Sequence, residues 1–429
     1  MSVALWIAIG IFLVLMFLKV PVWVSVLCST CGYLILTPQA INSIVVVQKI
    51  ITGMSGLSLL AVPFFILSGI IMSSGGIYRR IMNLCVAICG RMYGSLAQVN
   101  VLISTLMGGM SGSSLADAAM DCKTLVPEME RHGYSKEFSS VVTAVSSIIT
   151  PLIPPGICMI LYGSLASASI GKLFTAGITA GLTLMVASMV MNYFISKKRG
   201  YSSDRKDKVT PQEFWKAFRE AILPLCLPIL IIGSVRIGIC SATEAGAFCC
   251  VFAVILGLAY KELTWKGFLE ALKETVQTTG GIMIIVGAVS SLSYVFTVEK
   301  LPQTLLAMMV NSINNKWVFL FVVNIFLLFV GMFMEGNAAA VMLIPMLAPI
   351  AREYGIDIIQ FGVIWAFNIS MGGITPPVGS IMYVVCGATG CKIKNFVKES
   401  IPYLIMLFAL LMLFTYWPQL SLWLVELVW

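Results

Sequence analysis

Two interruptions of the same kind break an otherwise apolar chain. Each is a glycine-rich turn followed, about forty residues on, by a proline pair. The first reads GGMSGSSLADAA at 108–119 and TPLIPPG at 150–156; the second reads GMFMEGNAAA at 331–340 and GGITPPVG at 372–379. Pro154-Pro155 and Pro376-Pro377 are 222 positions apart, and Gly112 and Gly336 are 224 apart, as are Asn100 and Asn324 upstream. Landmarks in the same order at nearly one spacing mark an internal repeat, so the chain must fold as two related halves.

The background to these interruptions is 59% hydrophobic and 11% charged, where a soluble domain carries about 25% charged residues. Apolar runs this long must pair their backbone groups internally in hydrocarbon, and without strand-like alternation they do so as helices. The chain is therefore an all-α polytopic membrane protein. No basic residue precedes the apolar run 4–18, no small-residue cleavage site follows it, and a second run begins at Pro21. It reads as a retained helix, not a signal peptide. The net charge of +8 fits basic cytoplasmic loops and calls for no nucleic acid. Cys28-Ser-Thr-Cys31 is a lone C-x-x-C in an apolar helix and reads as packing. The one histidine, His132, sits in a polar loop and leaves no histidine metal site.

Spans are expected at 4–18, 21–37 and 57–74, with an interfacial helix at 40–56 and a headgroup-level helix at 78–92 carrying Arg79, Arg80 and Arg91. Residues 94–130 hold too short an apolar part to cross, then the Gly/Ser turn, then a helical stretch with Asp117 and Asp121. That is the pattern of a re-entrant hairpin. A span over 136–167 is broken at 150–156, where proline removes a donor and clashes with the preceding turn; 171–195 is a plain span. The polar run 197–208 is a linker between a first half, 1–196, and a second, 209–429. The second half offers spans at 221–238 and 243–260, an amphipathic stretch at 262–277, a span at 279–297 and a short helix at 302–312. A hairpin over 317–353, a broken span over 357–390 and a last span over 398–425 complete it. Five crossings and one hairpin per half place the second half upside down, an inverted-topology repeat. With the linker in the cytoplasm, the outer loops hold only Lys49, Lys172, Arg236, Lys300, Lys316 and Arg352 of the 27 Lys and Arg. That imbalance obeys the positive-inside rule and leaves both termini periplasmic.

Two tips and two broken helices related by a pseudo-twofold should meet near the midplane. Each break exposes carbonyls at the end of one half-helix and N–H groups at the start of the next. The carbonyls, with the neutral oxygens of Ser111, Ser113, Ser114, Asn337 and Thr375, suit sodium; the N–H groups suit a carboxylate. Small residues also let helices pack closely, but two repeat-related clusters, each with its own proline break, point to a site. Glu335, ionisable in an apolar setting, is a candidate for ion binding or gating. Asp117 is divided between capping and function, and Asp121 is expected near water. Glu244 reads as a charge at a helix N-terminus. Gly109-Met-Ser111-Gly112 also matches the G-x-S-G of intramembrane serine proteases. A nucleophilic serine needs a base within reach, and His132 lies roughly 30 Å of helix away.

VPFFILSG at 62–69, the GGMSGSSLADAA tip, PEMERHGYS at 127–135, Pro154-Pro155, SATEAGA at 241–247 and GGITPPVG together resemble the large membrane subunit of TRAP (tripartite ATP-independent periplasmic) transporters. The resemblance runs from about residue 5 to the C-terminus and is to the form not fused to the small subunit. It implies sodium-coupled inward carriage of an organic acid across the bacterial inner membrane by an elevator movement. It also implies a periplasmic binding protein that delivers the substrate, a small four-helix membrane subunit, and no organic cofactor. Carried over by position, one sodium site uses Ser111, Gly112 and Ser113 with Pro151 and Pro154. The other uses Gly331, Glu335 and Gly336 with Gly372, Gly373 and Thr375. Substrate lies between the tips, against Ser114, Asn337, Pro155, Gly156, Pro376 and Pro377. Many members of the family read Pro-Pro-Ser at the first break, where this chain has Gly156 and no hydroxyl. The rival of similar architecture is a stand-alone sodium–dicarboxylate carrier.

Overall fold

The computed structural model describes residues 2–18, 20–39, 41–74, 77–201, 210–301, 304 and 315–429. Among them every regular element is helical. The first half runs α1 (Val3–Phe17), α2 (Val22–Leu36), α3 (Ser43–Met54), α4 (Ala61–Ser74), α5 (Ile77–Cys89), α6 (Ser95–Ser111), α7 (Ser114–Arg131), α8 (Lys136–Ser146), α9 (Ile157–Leu165) and α10 (Ile170–Arg199). The second runs α11 (Pro211–Arg236), α12 (Ala242–Ala259), α13 (Trp265–Val298), α14 (Lys316–Phe333), α15 (Gly336–Glu353), α16 (Ile358–Gly372), α17 (Ser380–Thr389), α18 (Ile393–Tyr416) and α19 (Gln419–Val428). Six of these, α10 to α14 and α18, are long and apolar enough to cross a bilayer unbroken.

Both hairpins form where the glycine turns predict them, as α6–α7 and α14–α15. Both broken spans form as α8–α9 and α16–α17. Thr210 with Glu213, and Ser241 with Glu244, close capping boxes at the starts of α11 and α12, so Glu244 has the helix-start role expected of it. Helices α1–α5 pack chiefly with α11–α13, through α4 on α12, α3 on α13 and α5 on α11. The hairpins, the broken helices, α10 and α18 make a second bundle. Its centre is the pair of first half-helices: α8 is buried from Phe138 onward, and α16 at all but Ile358 and Ser370. Contacts between the halves are reciprocal. Arm α7 of the first hairpin packs on α17 of the second break, and arm α15 of the second hairpin packs on α9 of the first. Matched asparagines stitch each hairpin to its own broken helix: Ser146 Oγ donates to Asn100 Oδ1 at 2.6 Å, and Asn368 Nδ2 donates to Asn324 Oδ1 at 3.0 Å.

Several expected boundaries change. The amphipathic stretch 262–277 and the span 279–297 are one helix of 34 residues. Gly280-Gly281 lies within it, where glycine lowers helix propensity by about 1 kcal/mol but does not force a break. The last span stops at Tyr416, and Pro418 begins the separate helix α19, since proline cannot continue the hydrogen-bonded ladder. Lys197, Lys198 and Arg199, expected in the linker, form the last turn of α10, where cations complement the helix dipole. Linker residues 202–208 and the expected helix 302–312, apart from 304, lie outside the described residues. The repeat register also shifts at the tips. Gly112 caps the end of α6, whereas Gly336 is the first residue of α15. The matching positions are Ser113 and Glu335, 222 apart like the prolines, and each caps the following helix with its side chain.

The N-terminus is tied down at one carboxylate. Ser2 Oγ and Tyr33 Oη both donate to Glu299 Oε1 at 2.6 Å. These bonds, that from Ser2 first, hold Glu299 below the usual carboxylate range. A group lowered in the folded state stabilises it above its unfolded pKa of about 4.3 and loses that contribution as pH falls through the lower folded value. Hydrogen exchange at residues 3–17 is expected to rise across that acid window in the native chain. In Glu299→Gln the exchange should show no step there.

Candidate functional site at the paired tips

The two hairpin tips and both breaks meet. One cleft is lined by Gly112, Ser113, Ser114 and Leu115 from the first tip and by Met334, Glu335, Gly336 and Asn337 from the second. The breaks contribute Pro151 and Cys158 on one side and Ile369, Ser370, Gly373, Ser380 and Ile381 on the other. Four helices begin here: α7 at Ser114, α9 just before Cys158, α15 at Gly336 and α17 at Ser380. Each helix start carries about half a positive charge, which favours an anion, although Glu335 takes the Asn337 and Ala338 amides at α15 and Ser113 takes the Ala116 amide at α7. Helices α6, α14 and α16 end at the same tips and break, and the carbonyls a helix end leaves free, with serine hydroxyls, are oxygen donors of the kind sodium takes. No group of three or more His, Cys, Asp or Glu side chains able to hold a metal occurs among the described residues. The cleft measures about 50 Å³.

Of the residues expected at the first sodium site, Gly112, Ser113 and Pro151 line the cleft. A Cβ on Gly112 would stand 3.0 Å from the Pro155 carbonyl, so tip and break touch through backbone. Gly112 also has φ +61, the left-handed region that suits glycine. Ser113 Oγ caps α7 by accepting from the Ala116 amide. The side chain of Ser111 lies outside the described residues; its backbone ends α6. A Cβ on Gly156 would meet the Pro151 carbonyl at 2.1 Å, so this backbone requires glycine. At the second site, Gly331 and Gly372 are in backbone contact: a Cβ on Gly372 would stand 2.6 Å from Gly331 Cα. Glu335 accepts from the amides of Asn337 and Ala338, and its Oε1 accepts from Asn337 Nδ2 at 2.8 Å. The Thr375 hydroxyl donates to the Met371 carbonyl, and its side chain lines a shallow depression against α18, away from the tip cleft. The pairs Pro154-Pro155 and Pro376-Pro377 are both joined by cis peptide bonds; none of these four prolines lines the cleft itself.

Of the cleft residues that carry a hydroxyl or thiol, three were not singled out in the sequence: Cys158, Ser370 and Ser380. The two serines stand just outside GGITPPVG, and Cys158 follows TPLIPPG by two positions, so proximity to the breaks was the available signal. Behind the first tip, Asp117 and Asp121 lie one turn apart on α7. Asp121, expected near water, is only 1% exposed. Tyr78 of α5 covers it and donates to its Oδ1 at 3.1 Å, while Ser104 donates to its Oδ2 at 3.3 Å. Asp117 is also buried, and its Oδ2 has no hydrogen-bond partner among the described residues. The Ser104 and Thr150 hydroxyls neighbour that carboxylate, and an orphaned buried oxygen of this kind is a place for an ion or a water.

The sequence profile of the tripartite ATP-independent periplasmic transporter DctM component matches residues 9–420. The chain belongs to that family. DctM components related to it include the sialic acid TRAP transporter large permease protein SiaM of Vibrio cholerae, 39% identical over 96% of both chains. The 2,3-diketo-L-gulonate TRAP transporter large permease protein YiaN of Escherichia coli is 33% identical over 93% of both. The C4-dicarboxylate TRAP transporter large permease protein DctM of Pseudomonas aeruginosa is 33% identical, over 91% of this chain and 90% of its own. All are named as permeases and none as an enzyme, which sets aside the protease reading of Gly109–Gly112. The fold of this TRAP component is also that of the YdaH transporter of Alcanivorax borkumensis, at TM-score 0.61 and 13% identity over 89% of this chain and 88% of that one.

Proposed function

We propose that this TRAP permease carries an organic acid inward across the bacterial inner membrane, driven by sodium. A periplasmic binding protein delivers the acid, a small four-helix subunit supports the permease, and both termini are periplasmic. The observation that carries this reading is the meeting of four helix starts at one cleft. Among the described residues no basic side chain lines that cleft, so the backbone N–H groups that the Glu335 and Ser113 caps leave free supply the attraction for a carboxylate. Sodium binds to the carbonyls and hydroxyls of the same tips, and occupancy of one favours the other by neutralising its charge. The relatives' substrates support the class: sialic acid, 2,3-diketo-L-gulonate and C4-dicarboxylates are all organic acids.

Small-molecule sites measure roughly 300–1,000 Å³, and this cleft is about 50 Å³. The hairpin arms must therefore part to admit substrate. An elevator movement of the hairpin bundle against α1–α5 and α11–α13 then exposes the cleft to each side in turn. Reconstitution tests the tripartite reading. In sodium-loaded gradients, uptake of N-acetylneuraminic acid, 2,3-diketo-L-gulonate or a C4-dicarboxylate should require the small subunit and the binding protein. Uptake by this chain alone in liposomes favours the stand-alone carrier and overturns the tripartite reading.

A further inference from the structure

A second, larger space lies behind hairpin α14–α15. It measures about 460 Å³, within the range of small-molecule sites. One wall is α3 and α13, through Thr52, Ser290, Ser293 and Thr297; the other is Val341 and Pro345 of α15 with Leu165 of α9. Lys49 is the one charged residue among its lining residues. Its Nζ stands 5.4 Å from the centroid of the Tyr294 ring.

Helical spacing joins this crevice to the tip cleft. Asn337 lines the cleft, and Val341 and Pro345 line the crevice. Steps of four residues lie on one stripe of a helix, so α15 presents one continuous edge to both spaces. On α9, Cys158 lines the cleft and Leu165 the crevice, seven residues on and again on one stripe. Helices α9 and α15 pack on each other, so the two spaces lie end to end along that pair. Rising 1.5 Å per residue, α15 covers roughly 6–12 Å from Asn337 to the crevice residues.

The chemistry of the crevice matches an organic acid with hydroxyl groups. Ser290, Thr297 and Thr52 each donate to a carbonyl of their own helix, which leaves their oxygens able to accept. The acid nearest in sequence to the α13 wall, Glu299 just past the end of that helix, is engaged by Ser2 and Tyr33 and does not line the crevice. Gly53 lets α3 close on α13: a Cβ there would stand 2.1 Å from Ser290 Oγ.

We propose that this crevice is an outer antechamber for the anionic substrate, and that Lys49 draws the carboxylate in before hairpin α14–α15 admits it to the tip cleft. The inference rests on the carrier reading for the identity of the anion and for the outward side.

Charged thiol reagents test it without turnover. The full chain in proteoliposomes carries Ser293→Cys, and the unsubstituted chain supplies the background from Cys28 and Cys31, which are exposed on α2. Anionic sulfonatoethyl and cationic trimethylammonioethyl methanethiosulfonate are applied from outside, each rate normalised to its reaction with a free thiol. The anionic reagent should be favoured roughly tenfold, the scale of field focusing in a cleft of one charge sign. Lys49→Gln should remove the preference. A preference unchanged in Lys49→Gln, or no labelling of residue 293, overturns the proposal; Thr297→Cys repeats the test should Ser293→Cys fail to fold. Failure of the carrier reading would appear in the uptake assay instead and leave this labelling unaltered. In the tripartite system, Lys49→Gln should raise the KM for N-acetylneuraminic acid several-fold with kcat kept, and an unchanged KM counts against the antechamber.

Discussion

Alanine at Gly372 is expected to abolish uptake and to lower the yield of folded protein several-fold. The added Cβ would stand 2.6 Å from Gly331 Cα and C and 3.0 Å from the Leu328 carbonyl. All three are backbone atoms, so no side chain can turn aside, and α14 must move off α16. Overpacking of this kind costs about 1–3 kcal/mol. The functional cost is larger, because α14 and α16 end at the tip cleft, and a shift of about 1 Å spoils a site built from helix ends. Gly331→Ala should do the same, since its Cβ would meet the Ile369 carbonyl at 2.8 Å. The two effects should add less than fully, because either substitution separates the same helices. Gly387→Ala on α17 is the control: nothing lies within 4 Å of its Cβ position. Fluorescence-detected gel filtration after heating, with uptake, checks all three.

The second large effect is expected at Glu335, and a series separates its two roles. As the cap of α15 it accepts two backbone amides. Glu335→Ala removes that cap and should cost about 1–2 kcal/mol of stability. Glu335→Asp can still cap and keeps its charge, so stability should return. Glu335→Gln keeps the length and loses the charge, so the sodium concentration for half-maximal uptake should rise by about tenfold if an ion feels that carboxylate. At the equivalent cap, Ser113→Ala should weaken sodium dependence in the same sense. Sodium titrations unchanged in both Glu335→Gln and Ser113→Ala remove the sodium assignment from the tips.

The hairpins and breaks were legible because glycine and proline act locally: they end helices wherever they stand. The register between the halves was misread for the same reason. Gly112 ends one helix and Gly336 begins another, so one residue type serves two jobs, and matching letters aligned unlike positions. The division of 262–277 from 279–297 failed because a change from amphipathic to apolar composition does not end a helix, and the two are one helix of 34 residues. The burial of Asp121 depends on Tyr78, 43 residues away on another helix. Cys158, Ser370 and Ser380 are ordinary small residues whose importance comes only from where α9, α16 and α17 start or stop. Such facts arise from tertiary contact and leave no local mark.

The crossed pairing of α7 with α17 and of α15 with α9 couples the two gates like doors hung on each other's frames. On the proposed carrier reading, swinging one hairpin arm outward would drag on the half-helix beside the opposite gate. On that same reading, a leak would need both to stand ajar at once, breaking two packed seams together.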